Sequence, residues 1–182
     1  MPRLDHVQYV LQQWRHEAPG LDRSPFAVVG RISRLAQLLR DELEPIFAAH
    51  GVNGGEFDVL AALRRAGRPY RLTPTQLSTS LIVTSGGMTR RLNALEGRSL
   101  IQREPDPNDG RSTTVSLTPH GKHLVDAILP EHVANEHRLL RELTAKERAS
   151  LAGLLQRLAI ALGDDVSLRR SAVPRTHRRH RR

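Results

Sequence analysis

The chain has 182 residues, enough for one domain with a sizeable core and appended elements. It contains no cysteine, which excludes disulfides, thiolate zinc sites and thiol-based redox switching. The formal charge of +9 favours a polyanionic partner, but residues 163–182 hold seven arginines against Asp164 and Asp165, so over half of the excess belongs to the last twenty residues.

The opening MPRLDHVQYVLQQWRHE scatters its charges and has no continuous apolar run, so it does not read as a signal peptide. No window approaches the roughly 18 apolar residues of a membrane span. The expectation is a soluble, cytoplasmic protein without a membrane partner. Leu4, Val7, Leu11 and Trp14 recur at helical spacing, predicting a short helix within residues 1–18 that stops near Pro19-Gly20. Ser24-Pro25 reads as an N-cap with proline at the first helical position, opening a long helix over residues 24–50 through Val28, Ile32, Leu35, Leu38, Leu39 and Leu43. Pro45 is expected to kink it. A third, strongly apolar helix is expected from about Gly55 to Ala66.

Thr73-Pro74-Thr75-Gln76 combines a capping box with proline at the first helical position. The short helix it opens is followed by another, capped by Thr84 or Ser85 and running to about Arg98. Two short helices separated by a few residues make a helix-turn-helix candidate. Leu100–Arg103 and Thr113–Leu117 then predict a β-hairpin with the charged tip PDPNDGRS. Thr118-Pro119 starts a helix, with a bend expected at Pro130, and the capping box Thr144–Glu147 starts the last one, ending near Leu162. Residues 163–182 are rich in arginine and poor in apolar residues and predict a disordered basic tail. The fold class is therefore mainly α with a small β-hairpin: a winged helix-turn-helix over residues 55–118, flanked by dimerisation helices at 24–50 and 119–162.

On the helix after Thr84, at about 100° per residue from Met88, Leu92 and Leu95 form an inward stripe, whereas Arg90 and Asn93 fall on the opposite side. Arginine and asparagine are the side chains that read guanine and adenine edges in a major groove. Ser85 and Thr89 could bond phosphates or bases, and Gly86-Gly87 permit close backbone approach. At the hairpin tip Arg111 could enter a narrow minor groove, with Asp109 orienting it or a neighbouring arginine. The alternative for Arg90 and Asn93 is an ordinary solvated face.

The stretch LIVTSGGMTRRLNALEGRSLIQREPDPNDGRSTTVSLTPHGKHLV resembles the core of the multiple-antibiotic-resistance regulator (MarR) family. SGGMTRRL is similar to its recognition helix, and PDPNDGRS followed by VSLTPHG is similar to its wing and the start of its dimer helix. The likeness runs back through GEFDVLAALRRAG and covers roughly residues 25–162. It implies a homodimer whose terminal helices interlock on double-stranded, pseudo-palindromic operator DNA, usually as a repressor, with Thr84, Ser85, Gly86, Thr89, Arg90, Asn93, Asp109 and Arg111 at the DNA. Helices at both ends carry apolar faces that a winged-helix core of this size would not cover, which also points to a dimer. Two-fold symmetry then sets half-sites about 10 bp apart.

Two charges are out of place. Arg91 flanks the inward face of the recognition helix, and Asp58 is the one charge in Phe57-Asp-Val-Leu-Ala-Ala-Leu63. Both predict a polar contact behind that helix, for which an Asp58–arginine salt bridge suffices without any ligand. The N-terminal helix with Trp14, followed by Pro19-Gly20-Leu21-Asp22-Arg23-Ser24, resembles the branch of the family that responds to urate and related anions. That resemblance implies an effector site of Trp14, Asp58, Arg91 and Arg103, with an effector such as urate or another anionic or aromatic compound. Two arginines would supply bidentate donors, tryptophan a flat surface, and aspartate an acceptor.

For an enzyme the residues offer little. His120, His123, His132 and His137, with Glu131 and Glu136, form no HExxH or complete ligand set, and helix-surface histidines are the expectation. There is no nucleophile elbow and no phosphate-cradling glycine loop, so no catalytic residues, metal or cofactor are expected. The competing class is an architectural DNA-binding protein relying on its basic tail, which would bind without sequence preference and lose affinity steeply with salt.

Overall fold

The computed structural model describes residues 3–81, 87–106 and 109–166, with Asp109, Gly110 and Arg111 described as strand backbone only. Thr84, Ser85 and Gly86, the centre of the hairpin tip and the basic tail from residue 167 lie outside the described residues. The chain divides into two compact units, residues 1–135 and 136–182.

In the first unit, helix α1 (His6–Glu17) is capped by Asp5, whose carboxylate accepts from the Gln8 N–H at 2.6 Å. That bond, and then the Arg31 guanidinium, hold the Asp5 carboxyl below the usual carboxylate range. Helix α1 packs on helix α2 (Ser24–Ala49). The approach is close at Gly30, where an added Cβ would stand 3.2 Å from a Val7 methyl.

The start of α2 corrects the sequence reading. Ser24 is the first helical residue, not the cap; Arg23 occupies the cap position without a side-chain capping bond. The Asp22 carboxylate instead accepts from the Ser24 backbone N–H at 2.9 Å and from its hydroxyl at 3.1 Å. The helix runs on as one element through Pro45 and stops where Gly51 takes a left-handed φ of +72°.

Helix α3 (Gly54–Arg65) opens on a capping box between Asn53 and Glu56 and supplies the centre of the core, with Val59, Leu60 and Leu63 fully buried. Strand β1 (Arg71–Leu72) follows, a two-residue element too short to show alternation and absent from the sequence reading. Helix α4 (Pro74–Ser80) starts on the expected Thr73–Gln76 capping box. Helix α5 (Met88–Gly97) starts later than the sequence suggests. Its N-cap is Gly87 at φ +100°, a left-handed conformation that side-chain-bearing residues rarely adopt.

Strands β2 (Ile101–Asp106) and β3 (Asp109–Leu117) form the expected hairpin, paired from Ile101↔Leu117 out to Asp106↔Asp109. Pairing therefore extends past the predicted strand ends and shortens the free tip. Strand β1 adds to the outer edge of β3, giving the antiparallel order β1-β3-β2.

Helix α6 (Pro119–Leu139) is tied to the end of α5. The Thr118 hydroxyl donates to the Ser99 carbonyl at 2.7 Å and accepts from the Gly121 N–H at 3.0 Å. A Cβ at Gly121 would fall 1.9 Å from the Leu100 carbonyl oxygen, so only glycine permits this backbone contact. Val125 and Ile128 complete the core beside Leu77, Leu95, Ile101 and Val115. Asp126 joins α6 to α3, accepting from Lys122 at 2.5 Å and Arg64 at 2.7 Å. The Lys122 bond, and then that to Arg64, hold its carboxyl below the usual carboxylate range.

The second unit contains helix α7 (Ala145–Ala161), opened by the expected Thr144–Glu147 capping box. It buries no residue and exposes Leu151, Leu154, Leu155, Leu158 and Ile160. In the first unit α2 buries only Phe47 of its 26 residues and exposes Phe26, Val28, Val29, Ile32, Leu35, Leu38 and Leu39. No helix among the described residues is long and apolar enough to cross a membrane.

Candidate nucleic-acid interface

Helix α5 presents the two faces its sequence implied. Leu92 (5 % exposed) and Leu95 (0 %) enter the core, Met88 packs against it, and Thr89, Arg90 and Asn93 are exposed. The division follows from helical periodicity: residues 88, 92 and 95 share one side, and 90 and 93 take the other. Thr73, Pro74 and Gln76 fix the start of α4, while the positive φ of Gly87 sets the entry into α5.

Asn93 has a neighbour that sequence spacing does not reveal. Arg103 on β2 donates from Nη2 to the Asn93 Oδ1 at 2.6 Å, and its Nε lies 3.5 Å from the Glu96 Oε2. One guanidinium thus spans two side chains a single turn apart on α5 and ties that helix to the hairpin. Asn93 and Arg103, assigned to separate sites in the sequence, meet here. Arg103 stands on the same strand as Glu104, whose carboxylate takes Arg71 of β1 at 2.9 Å. On β3, Asp109 and Arg111 continue the hairpin backbone, but their side chains lie outside the described residues, as do Thr84, Ser85 and Gly86.

Arg91 flanks the buried side of α5, half-buried as its angular position implied. Its guanidinium lies on the first turn of α3: a Cβ at Gly55 would be 2.6 Å from Nε and 2.7 Å from Cζ. Asp58 is one turn further along α3 and is half-buried rather than enclosed. The buried acid of α3 is Glu56, 8 % exposed, which the sequence reading passed over. It pairs with Arg98 at 2.8 Å, and Arg98 also donates to the Gly51 carbonyl. The signal was present in Asn53-Gly-Gly-Glu56, a capping box whose acid is drawn inward by its reciprocal bond. Trp14, on α1, is 43 % exposed.

The histidines also need one correction. His132 is not on a solvated face; its ring packs against Phe47 and Phe57, at 5.4 and 5.1 Å between centroids. His50 reaches Glu131 at 3.1 Å. Among the described residues no group of three or more histidine, aspartate or glutamate side chains is placed to hold a metal.

Known proteins share this arrangement. A family model described as "MarR family" matches residues 50–112, the span from the end of α2 through the hairpin tip. The HTH-type transcriptional regulator PecS of Dickeya dadantii (strain 3937) is 37 % identical over 158 residues, covering 87 % of this chain and 95 % of PecS. A crystal structure of a mutant MarR from E. coli complexed with operator DNA matches with a TM-score of 0.63 and 27 % identity, over 80 % of this chain and 96 % of that one. BpsR of Bordetella bronchiseptica, whose DNA binding is regulated by 6-hydroxynicotinic acid, shows the same fold, with a TM-score of 0.66 at 23 % identity over 72 % of this chain and 92 % of its own. The length and identity of the PecS match, together with the helix-turn-helix and wing, show that the chain belongs to the MarR family of DNA-binding transcriptional regulators, which are not enzymes.

Proposed function

We propose that the protein is a homodimeric, sequence-specific repressor that places α5 of each protomer in successive major grooves and is released by a small anionic or aromatic effector, urate among the candidates. The observation that carries the DNA reading is the exposure of Thr89, Arg90 and Asn93 opposite the buried Leu92 and Leu95. Arg90 and Asn93 supply base-edge contacts, Thr89 a phosphate or base contact, and the segment holding Thr84, Ser85 and Gly86 approaches the backbone. Asp109 and Arg111 serve at the wing, with Arg111 in the minor groove. The dimer reading is supported by the apolar side chains that α2 and α7 leave exposed, from Phe26 to Leu39 and from Leu151 to Ile160.

The effector reading assigns Trp14, Asp58, Arg91 and Arg103 to the ligand. Support comes from Arg91, whose guanidinium rests against α3 while its backbone belongs to α5. A ligand that draws on this guanidinium biases the position of the reading helix, and so DNA affinity. A mobility-shift assay on DNA flanking the gene, titrated with urate and with other small aromatic anions, tests the reading. The expected result is a retarded complex dissolved by at least one such compound, with the response lost in Arg91→Ala. Undiminished complex at every compound, or an unchanged response in Arg91→Ala, overturns it.

A further inference from the structure

We propose that Arg103 is a positioning residue that fixes the amide of Asn93 so that the helix offers DNA a donor at this position, making the pair a specificity determinant for purine N7. The inference rests on the reading of α5 as the major-groove helix and concerns the effector-free protein, in which Arg103 engages Asn93 rather than a ligand.

A guanidinium carries only donors, so the Asn93 atom facing Arg103 at 2.6 Å is the carbonyl Oδ1. The amide plane is thereby set, and Nδ2 with its two N–H groups takes the other end. Among the described residues Nδ2 donates to no protein group, and Asn93 is exposed. An unrestrained asparagine turns either edge outward and reads adenine by pairing its oxygen with N6–H and its nitrogen with N7. With Oδ1 committed to a charged donor, the bidentate pattern is disfavoured and the outward donor remains. The guanidinium is itself held: Arg103 Nε is shut from solvent without a hydrogen bond, and the Glu96 carboxylate lies 3.5 Å away. Glu96 and Asn93 are one turn apart, so Arg103 engages both without moving.

The test uses the full chain and an operator selected from random DNA, with fluorescence anisotropy at fixed salt. Purines of each half-site are replaced singly by 7-deaza analogues, which delete the N7 acceptor and leave the Watson–Crick edge intact. For the native protein, one 7-deaza position is expected to weaken binding about fivefold, the loss of one hydrogen bond. Asn93→Asp keeps the acceptor toward Arg103 but removes the donor, so the penalty at that position disappears. Arg103→Met frees the amide and reduces the penalty below twofold. Arg103→Gln, which can still donate to Oδ1, restores most of it and controls for folding. A full penalty in Arg103→Met that is lost in Asn93→Asp overturns the positioning role while leaving α5 as the reading helix. A base profile unchanged in both Asn93→Asp and Arg90→Ala overturns the groove assignment itself.

Discussion

Adding one methyl group at Gly55 displaces Arg91 without altering its charge. The new Cβ would stand 2.6 Å from the Arg91 Nε, 2.7 Å from Cζ and 2.9 Å from Nη2. Ordinary contact distances are about 3.5 Å, so the guanidinium must retreat by roughly 1 Å. The backbone tolerates the change, because Gly55 is the second residue of α3 and has no left-handed φ. Alanine is favoured over glycine in helices by up to about 1 kcal/mol, which offsets part of the pairing energy that the displaced guanidinium gives up. A shift of roughly 1 Å breaks a charge-assisted hydrogen bond, and such bonds contribute about 1.5–3 kcal/mol. If Arg91 holds the effector, Gly55→Ala therefore raises the effector concentration needed to release operator DNA by about 10- to 100-fold. Circular-dichroism melting and an effector-titrated mobility shift measure the two effects separately. An unaltered release concentration would refute the role of the guanidinium's placement.

Other substitutions probe the frame that holds α5. Gly121→Ala forces a Cβ to within 1.9 Å of the Leu100 carbonyl, a backbone atom that cannot step aside, and thermal melting should show a loss of about 1–3 kcal/mol or more. Gly87→Ala strains the left-handed N-cap of α5 at φ +100°, costing on the order of 1–2 kcal/mol, and operator affinity should fall more than stability requires. The Asp126 carboxyl is held below its ordinary value by Lys122 and then Arg64, so its folded pKa lies under its unfolded pKa of about 3.9. Its contribution is then complete above the unfolded pKa and is lost as pH falls through the folded one. Urea unfolding should show Asp126→Asn less stable than the native protein by up to about 1 kcal/mol at pH 7, with the difference unchanged at pH 5 and closing below pH 4.

The sequence made the helices with strong end signals legible. The capping boxes at Thr73–Gln76 and Thr144–Glu147 are where the residues placed them, because the reciprocal bonds are local and involve three residues of separation. The two-sidedness of α5 was legible for the same reason. Ends without such signals were not. Thr84 and Ser85 are better caps by propensity than Gly87, yet the helix begins after the glycine whose positive φ turns the chain. Ser24 is a favoured cap too, but its neighbour Asp22 takes the bonds first. The site was half legible. Asp58 drew notice as an isolated charge, whereas the acid that the core encloses is Glu56, concealed in a helix terminus. The meeting of Asn93 with Arg103 crosses from helix to strand, where periodicity gives no register between the two elements.

Whether the exposed face of α5 reads DNA sequence is decided by comparing the affinity of the native protein, Arg90→Ala and Asn93→Ala for the selected operator and for a scrambled duplex of the same composition. Each variant should lose about fivefold or more on the operator, as expected for a base contact of at least about 1 kcal/mol, and change little on the scrambled DNA. Equal affinity of the native protein for both duplexes, or operator binding untouched in both variants, would overturn the assignment of α5 to the major groove.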